Sequence, residues 1–412
     1  MLCWTVASGR LKLTRNRKCN PRANSNFVSE KRYQWAAPGD VNAFFGLMLD
    51  NIADLLLTVG LLAGVFGFPT KFALQYMVPG TAIGVLVGDL LFTWMAFRLA
   101  KRLNRPTVTA MPLGLDTPST FGMVFFVLGP AFLKGQFDLG LSVEDAAMFT
   151  WHIGIWSIVL SGVFKFFCAA GSHWIRTVVP RAGLLGSLAA IALVLISFLP
   201  FLEVLHYPIV GFAALAVILT TLVARIKLPG RMPGALGALL IAGTIYYLML
   251  YTGKWTGVDL LGHPPAEMGF AARDALLPTG WLSAFTFEWF ARLPYALQYL
   301  PLVIPFALAT VVGGIDCTES AAAAGDEFNT GKIIAVEGFA TLVAGLCGGV
   351  IQTTPYIGHP AYKAMGGRAA YTLATALFVG GAGLIGYFGF LYAIIPKATV
   401  FPILIFIGLE IT

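Results

Sequence analysis

The chain has 412 residues, of which 58% are hydrophobic and only 11% charged, with a formal net charge of +7 and a mean hydropathy of +0.79. That composition excludes a soluble globular domain, because apolar runs of about 20 residues, enough to cross roughly 30 Å of hydrocarbon, recur from residue 43 onward. The positive charge gathers in the turns between those runs, which is a topology signal rather than a nucleic-acid footprint, so the expected environment is the lipid bilayer and no nucleic-acid partner is expected.

Residues 1–41 form a basic tail containing Arg10, Lys12, Arg15, Arg17, Lys18, Arg22, Lys31 and Arg32. Placing it in the cytoplasm puts most other basic residues inside too, among them Arg98, Lys101, Arg102, Arg105, Lys165, Lys227, Lys332, Lys363 and Arg368. The amino terminus is therefore expected inside. Residues 1–35 hold no apolar segment ahead of a small-residue cleavage site, so they read as a disordered tail or a misassigned start rather than a signal peptide. The five cysteines form no CxxC pair, and neither a disulfide framework nor a metal site is expected.

Span 1, from about Asn42 to Phe66, carries Asp50 and Asp54, four residues apart and so on one helix face. A carboxylate at mid-bilayer costs at least about 2.5 kcal/mol. These two either face a cavity or partner, as candidate ion-coupling groups, or lie hydrated near the cytoplasmic end. Span 2, Phe72 to Leu99, presents Gly84 and Gly88 as a small-xxx-small packing face, followed by Asp89 with no partner named by the sequence. Span 3 opens with Thr107 to Phe121, TVTAMPLGLDTPSTF, which carries two prolines, a glycine and Asp116 where a spanning helix should run. Broken helix survives in a membrane only inside protein or around an aqueous cavity. Span 4 is Met148 to Ala170.

Span 5 opens at Val178, span 6 is Ile209 to Ala224, and span 7 is Pro233 to Tyr251. The polar connection from Lys254 to Gln298, rich in Trp and Phe, reads as an interfacial amphipathic element. Span 8, Tyr299 to Gly325, contains Asp316 and Glu319 on one face of an apolar helix, the strongest single site signal in the sequence. Span 9 is Ile333 to Gly349, with Glu337 read as solvated near its cytoplasmic end. A second broken stretch, Ile351 to Gly367, holds two prolines with His359 between them. Span 11 is Ala370 to Ile394, and a last run opens IIPKA.

Val178-Val179-Pro180-Arg181-Ala182 matches Ile394-Ile395-Pro396-Lys397-Ala398, and the topology count gives the two pieces opposite orientations. With acidic spans 1 and 8 and broken spans 3 and 10, this is the trace of an inverted repeat. The expected fold is an all-α polytopic membrane protein with seven-plus-seven inverted repeats and two broken half-helices. It divides into core spans 1–4 (42–177), gate spans 5–7 (178–253), the connection 254–298, core spans 8–11 (299–393) and the start of the second gate half (394–412). Two terminal spans of that scheme are expected to be missing.

GGIDCTES at 313–320, GFATLVAGLCGGVIQTTPYIGHPA at 338–361 and the broken span 3 resemble the nucleobase/ascorbate transporter family of uracil-xanthine and hypoxanthine-guanine permeases, which shares its fold with sulfate permeases. The resemblance covers most of residues 40–412. It implies an ion-coupled permease, not an enzyme, of a bacterial inner membrane, forming a homodimer and needing no cofactor beyond H+ or Na+. Asp316 falls on the acidic position of helix eight that hydrogen-bonds the base in that family. The family's second carboxylate is absent from Thr353-Thr354-Pro355-Tyr356-Ile357-Gly358-His359, a departure that the sulfate-permease branch shares.

The expected substrate-binding residues are Asp316, Glu319, Thr353, Thr354, Tyr356, Met111, Gly114, Leu115 and Asp116, with oriented N–H groups from the two half-helix starts. The expected proton- or ion-coupling residues are Asp316, His359, Asp50 and Asp54, His359 because imidazole titrates near neutral pH. The main reading is a secondary transporter of a nucleobase or similar small heterocycle. The alternatives are a sulfate-permease-like anion transporter or an inactive truncated permease. Neither HExxH nor GxSxG occurs, which argues against a membrane enzyme, and paired broken helices fit alternating access better than a continuous pore.

Overall fold

Among the described residues the long apolar runs become helices whose ends are fixed by the residues found there. In the computed structural model, which describes residues 3–7, 10–14, 32–172, 174, 192–224, 226–262 and 272–411, helix α1 covers Gly39–Phe66. Its first turn is tied down by Asp40, whose carboxylate accepts the Ala37 N–H at 2.6 Å. It ends on Gly67 at φ 67°, a left-handed position that only glycine takes without cost. Helix α2 runs Thr70–Leu103 and α3 Thr117–Asp138. Asp116 caps α3 by accepting the Ser119 N–H at 2.8 Å, and Pro118 sits in its first turn, where a missing N–H costs nothing. Helix α4, Val143–Ala170, starts on the Ser142 cap.

The remaining helices are α5 Leu199–His206, α6 Pro208–Val223 and α7 Gly234–Thr256, α8 Leu300–Ala323 and α9 Thr330–Leu346. They continue with α10 His359–Ala364, α11 Ala370–Ile385, α12 Phe388–Ile394 and α13 Lys397–Ile411. Among the described residues six helices are long and apolar enough to cross a membrane, or seven when α11 and α12 are counted as one bent span.

The described residues also include two short antiparallel ribbons. One pairs β1, Cys3–Ala7, with β2, Arg10–Thr14, so part of the segment expected to be a disordered tail is a hairpin. Tyr33 to Asp40 are not tail either, since the Tyr33 hydroxyl donates to the Val108 carbonyl at 2.8 Å and Asp40 also accepts the Arg368 N–H at 2.7 Å. The other ribbon is the centre of the fold. It pairs β3, Leu113–Leu115, with β4, Thr353–Pro355, Gly114 lying opposite Thr354. The two broken crossings therefore meet, strand against strand.

The most extensive helix pairings are α4 with α9 and α2 with α11. These two contacts exchange when spans 1–4 are matched to spans 8–11, and the antiparallel ribbon obeys the same two-fold relation, as an inverted repeat requires. The Gly84 and Gly88 face of α2 is used for close packing. A Cβ on Gly84 would stand 2.6 Å from the Ala344 Cβ of α9, and one on Gly88 would stand 2.7 Å from the Leu113 side chain.

Two expectations need correction. The run from Ala370 to Ile394 is not one rod but bends by 93° between α11 and α12, because Gly386 at φ 81° ends α11 in a left-handed cap. In the 254–298 connection, Trp289 is buried rather than interfacial. Its ring packs edge-on against Trp156 at 4.7 Å and its backbone carbonyl accepts the Trp156 indole N–H at 2.7 Å. Phe285, Phe287 and Phe290 stay exposed, as an interfacial element would leave them. Of the five-residue repeat, Val178 to Ala182 lies outside the described residues, while Ile394 to Ala398 leads into α13.

Candidate substrate site at the paired breaks

Two strands in a membrane interior carry a problem that helices avoid. Their outer edges present N–H and C=O groups that neither lipid nor the opposing strand can satisfy. Here five flanking helices supply the missing partners. On the β3 edge, Asp89 of α2 accepts the Leu113 N–H at 3.0 Å and Asn51 of α1 accepts the Leu115 N–H at 3.1 Å. On the β4 edge, Lys165 of α4 donates to the Thr353 carbonyl at 2.8 Å. The Thr341 hydroxyl of α9 lies 2.9 Å from that of Thr353 and 3.3 Å from its N–H. The Cys317 thiol of α8 donates to the Pro355 carbonyl at 3.2 Å. Asp50, Asn51, Asp54, Asp89, Lys165, Glu337 and Thr341 are all buried.

The ladder extends one residue each way, through Tyr356 N–H to the Pro112 carbonyl at 2.9 Å and Asp116 N–H to the Gln352 carbonyl at 3.0 Å. Because side chains alternate along a strand, this register sorts the ribbon into two faces. Leu113, Leu115, Thr353 and Pro355 point one way, into the packing of α2, α8 and α9. Gly114, Asp116, Gln352, Thr354 and Tyr356 share the other. On that face a Cβ added to Gly114 would stand 3.7 Å from the Asp50 carboxylate and 3.8 Å from the Tyr356 ring. The Gln352 side chain is fully buried, and neither end of its amide has a hydrogen-bond partner.

The expected site residues distribute accordingly. Gly114, Asp116, Thr354 and Tyr356 fall on the face toward Asp50. Thr353 and Leu115 lie on the opposite face, and Met111 is fully buried in the packed core beside Leu113. Asp116 is engaged as the cap of α3. Asp316 and Glu319 are half-buried on α8, beside Cys317 and hence at the Pro355 end of the ribbon. Asp50 and Asp54 are buried, so the hydrated-end reading does not hold. Asp54 accepts the Thr117 hydroxyl at 3.0 Å, and each carboxylate keeps one oxygen without a hydrogen-bond partner.

His359 is drawn away from the ribbon. Its ring is fully buried, with Nε2 at 3.5 Å from Asp326 and 3.2 Å from the Thr109 carbonyl. Asp326 also accepts the Thr109 N–H at 3.0 Å and pairs with Lys363 at 2.7 Å, so one carboxylate holds the chain before β3 to the chain after β4. Burial pushes the Asp326 carboxyl up, but hydrogen bonds from His359, Lys363 and the Thr109 N–H outweigh it and hold it below the ordinary value of 3.8. A depressed carboxyl contributes stability that is present above its unfolded value and lost as the pH falls through the folded one. Melting of the detergent-solubilised chain should show Asp326→Asn below wild type by a gap that is constant above about pH 5 and closes below about pH 4. A gap that persists at the acid end would contradict this role.

Glu337 is not solvated and Lys165 is not a cytoplasmic surface residue. They form an ion pair at 2.9 Å with both side chains fully buried. Sequence reasoning also passed over Asn51, Thr341, Gln352 and Asp326, and it noted Asp89 without its role. Only the acids carried a signal in the sequence, as charges inside apolar runs.

No family model matches the chain and no curated protein matches it. Its structure is similar to the transmembrane domain of a cyanobacterium bicarbonate transporter, BicA, with a TM-score of 0.53 and 17% identity over 91% of this chain and 88% of that one. The chain is an all-α polytopic membrane protein with the fold of a transporter's transmembrane domain.

Proposed function

We propose that the chain is a cation-coupled secondary transporter of a small oxyanion such as bicarbonate or sulfate, binding it on the ribbon face formed by Gly114, Gln352, Thr354 and Tyr356. The likeness to a bicarbonate transporter supports the anion reading over a nucleobase, as does the lack of a second carboxylate between Thr353 and His359. The observation that carries the proposal is the ribbon itself. It is an irregular, polar, fully supported break at the crossing of two spans, with an unsatisfied buried amide on the side where Gly114 leaves room.

The chemistry follows from the groups present. The Gln352 amide and the Thr354 hydroxyl donate to oxyanion oxygens, while the start of α3 is already engaged by the Asp116 carboxylate. Asp50 and Asp54 work against an anion there. An uncompensated carboxylate about 5 Å from a bound anion costs roughly 3 kcal/mol at an effective dielectric constant near 20. A Na+ or H+ taken up at Asp50 and Asp54 removes that cost, which makes binding of anion and cation mutually dependent. Rocking of spans 1–4 and 8–11 against the gate spans then exposes the loaded face to each side in turn.

Proteoliposomes holding the purified chain should accumulate radiolabelled sulfate or bicarbonate when an inward Na+ or H+ gradient is imposed, and not without one. Gradient-driven uptake of uracil or xanthine with no uptake of either anion would overturn the proposal in favour of the nucleobase reading.

A further inference from the structure

Among the described residues Lys165 is the only lysine or arginine that is buried, and it lies directly behind the ribbon. Its ammonium meets the Glu337 carboxylate at 2.9 Å, the Thr353 carbonyl at 2.8 Å and the Thr341 hydroxyl at 3.4 Å. A buried ion pair is a poor way to gain stability, since its desolvation cost rivals its Coulomb gain. Nor does β4 depend on Lys165 alone, because the Thr341 hydroxyl also reaches the Thr353 carbonyl, at 3.3 Å. Intramembrane charges kept at such cost belong by default to ion pathways.

The surroundings of Glu337 are specific. The other ionisable groups facing it are Cys168 on α4, Cys317 on α8 and Asp116 at the start of α3, with Asp316 adjoining Cys317. Thr310 of α8 is near as well. Among the described residues Lys165 is thus its only cationic neighbour. Its Oε2 faces Gly314 of α8, where an added Cβ would stand 2.7 Å away. The missing side chain leaves that oxygen room.

We infer that Glu337 is a proton-binding site whose occupancy switches the charge behind the ribbon and so couples proton uptake to anion binding. With Glu337 ionised, the pair is neutral and offers an anion nothing. A proton from the aqueous side adds to the carboxylate to give the neutral acid, Lys165 keeps its own proton, and the pair's net charge rises from zero to plus one. That charge acts through the ribbon on an anion at Gly114. When the anion leaves on the far side, Glu337 returns its proton there. One proton moves per charge switched, and no other bond is made or broken. A unit charge about 10 Å away at an effective dielectric constant near 20 changes affinity on the order of tenfold. This inference rests on the anion reading for its cargo and goes beyond it in naming a coupling site apart from Asp50 and Asp54.

The test uses the full purified chain in detergent with sulfate as the probe. Infrared difference spectra between neutral and acid pH should show the carbonyl band of a protonated carboxylic acid, larger with sulfate present and missing from Glu337→Gln. Sulfate affinity should rise on acidification by about tenfold in all in wild type, spread over roughly two pH units. With Na+ saturating, so that Asp50 and Asp54 stay compensated at every pH, it should be flat and high in Glu337→Gln, and flat and low in the double variant Lys165→Gln/Glu337→Gln, which leaves no uncompensated charge behind the ribbon and serves as the measurement if the single variant fails to fold. A Glu337→Gln or double variant that keeps the wild-type pH slope would overturn the inference, as would a carbonyl band unchanged by either. If sulfate binds no form at any pH, the anion reading falls, and the band alone then decides whether Glu337 takes a proton.

Discussion

Lys165→Met destabilises the protein by roughly 3–5 kcal/mol, because it leaves the Glu337 carboxylate buried without its counter-charge. It also removes a donor from the Thr353 carbonyl. The double variant Lys165→Met/Glu337→Leu recovers most of that loss, since an apolar pair of similar volume is often as stable as a buried ion pair. The comparison separates two roles that a single substitution confounds. If the pair matters for stability alone, the double variant melts near wild type and still transports. If it matters for transport, the double variant melts near wild type and loses the pH dependence of uptake. Unfolding in mixed micelles with increasing dodecyl sulfate supplies the stability scale. A Lys165→Met chain as stable as wild type would mean that Glu337 is not held as a buried charge.

Gly114→Leu abolishes uptake, by roughly a hundredfold or more, while leaving the fold intact. Gly114 is not among the residues with positive φ, so its backbone accepts a side chain. A Cβ there stands at ordinary contact distance from Asp50 and Tyr356, and the longer branches of leucine then cover the face that carries Gln352 and Thr354. The contrast is with Gly88, where a Cβ would collide with Leu113 at 2.7 Å, so that substitution there fails by misfolding. Uptake per inserted protein, together with an unchanged melting temperature, reads the difference. Wild-type uptake by Gly114→Leu would move the substrate off this face.

How far the sequence reveals this architecture depends on whether a feature is local. Pro112, Pro118, Pro355 and Pro360 interrupt apolar runs at the two places where the chain leaves helical geometry, and the Asp116 cap with Pro118 behind it marks where α3 resumes. Gly84 and Gly88 likewise announce a close helix contact on their own. Depth and partnership are not local. Lys165 sits near the end of α4, where a lysine in an apolar helix ordinarily reaches toward the headgroups. Nothing near it in the chain says that Glu337 and Thr353, 172 and 188 positions away, close over it. The ribbon edges are satisfied in the same way, by Asn51 and Asp89 from helices that enter the sequence long before the strands they serve. His359 misleads for the same reason, since its neighbours Thr109 and Asp326 arrive from two other segments. The bend at Gly386 was legible in principle, because a glycine followed by Tyr-Phe-Gly is a poor helix interior.

The cargo anion lies against the Gly114, Gln352 and Thr354 face of the β3–β4 ribbon. Selenate is a sulfate analogue whose heavy atom scatters anomalously, so crystals of the chain soaked in it read the position of the cargo directly. The predicted result is one anomalous peak inside the protein, between Gly114, Gln352 and Thr354 on the Asp50 side. A well-occupied peak elsewhere in the membrane interior, with that face empty, would contradict it.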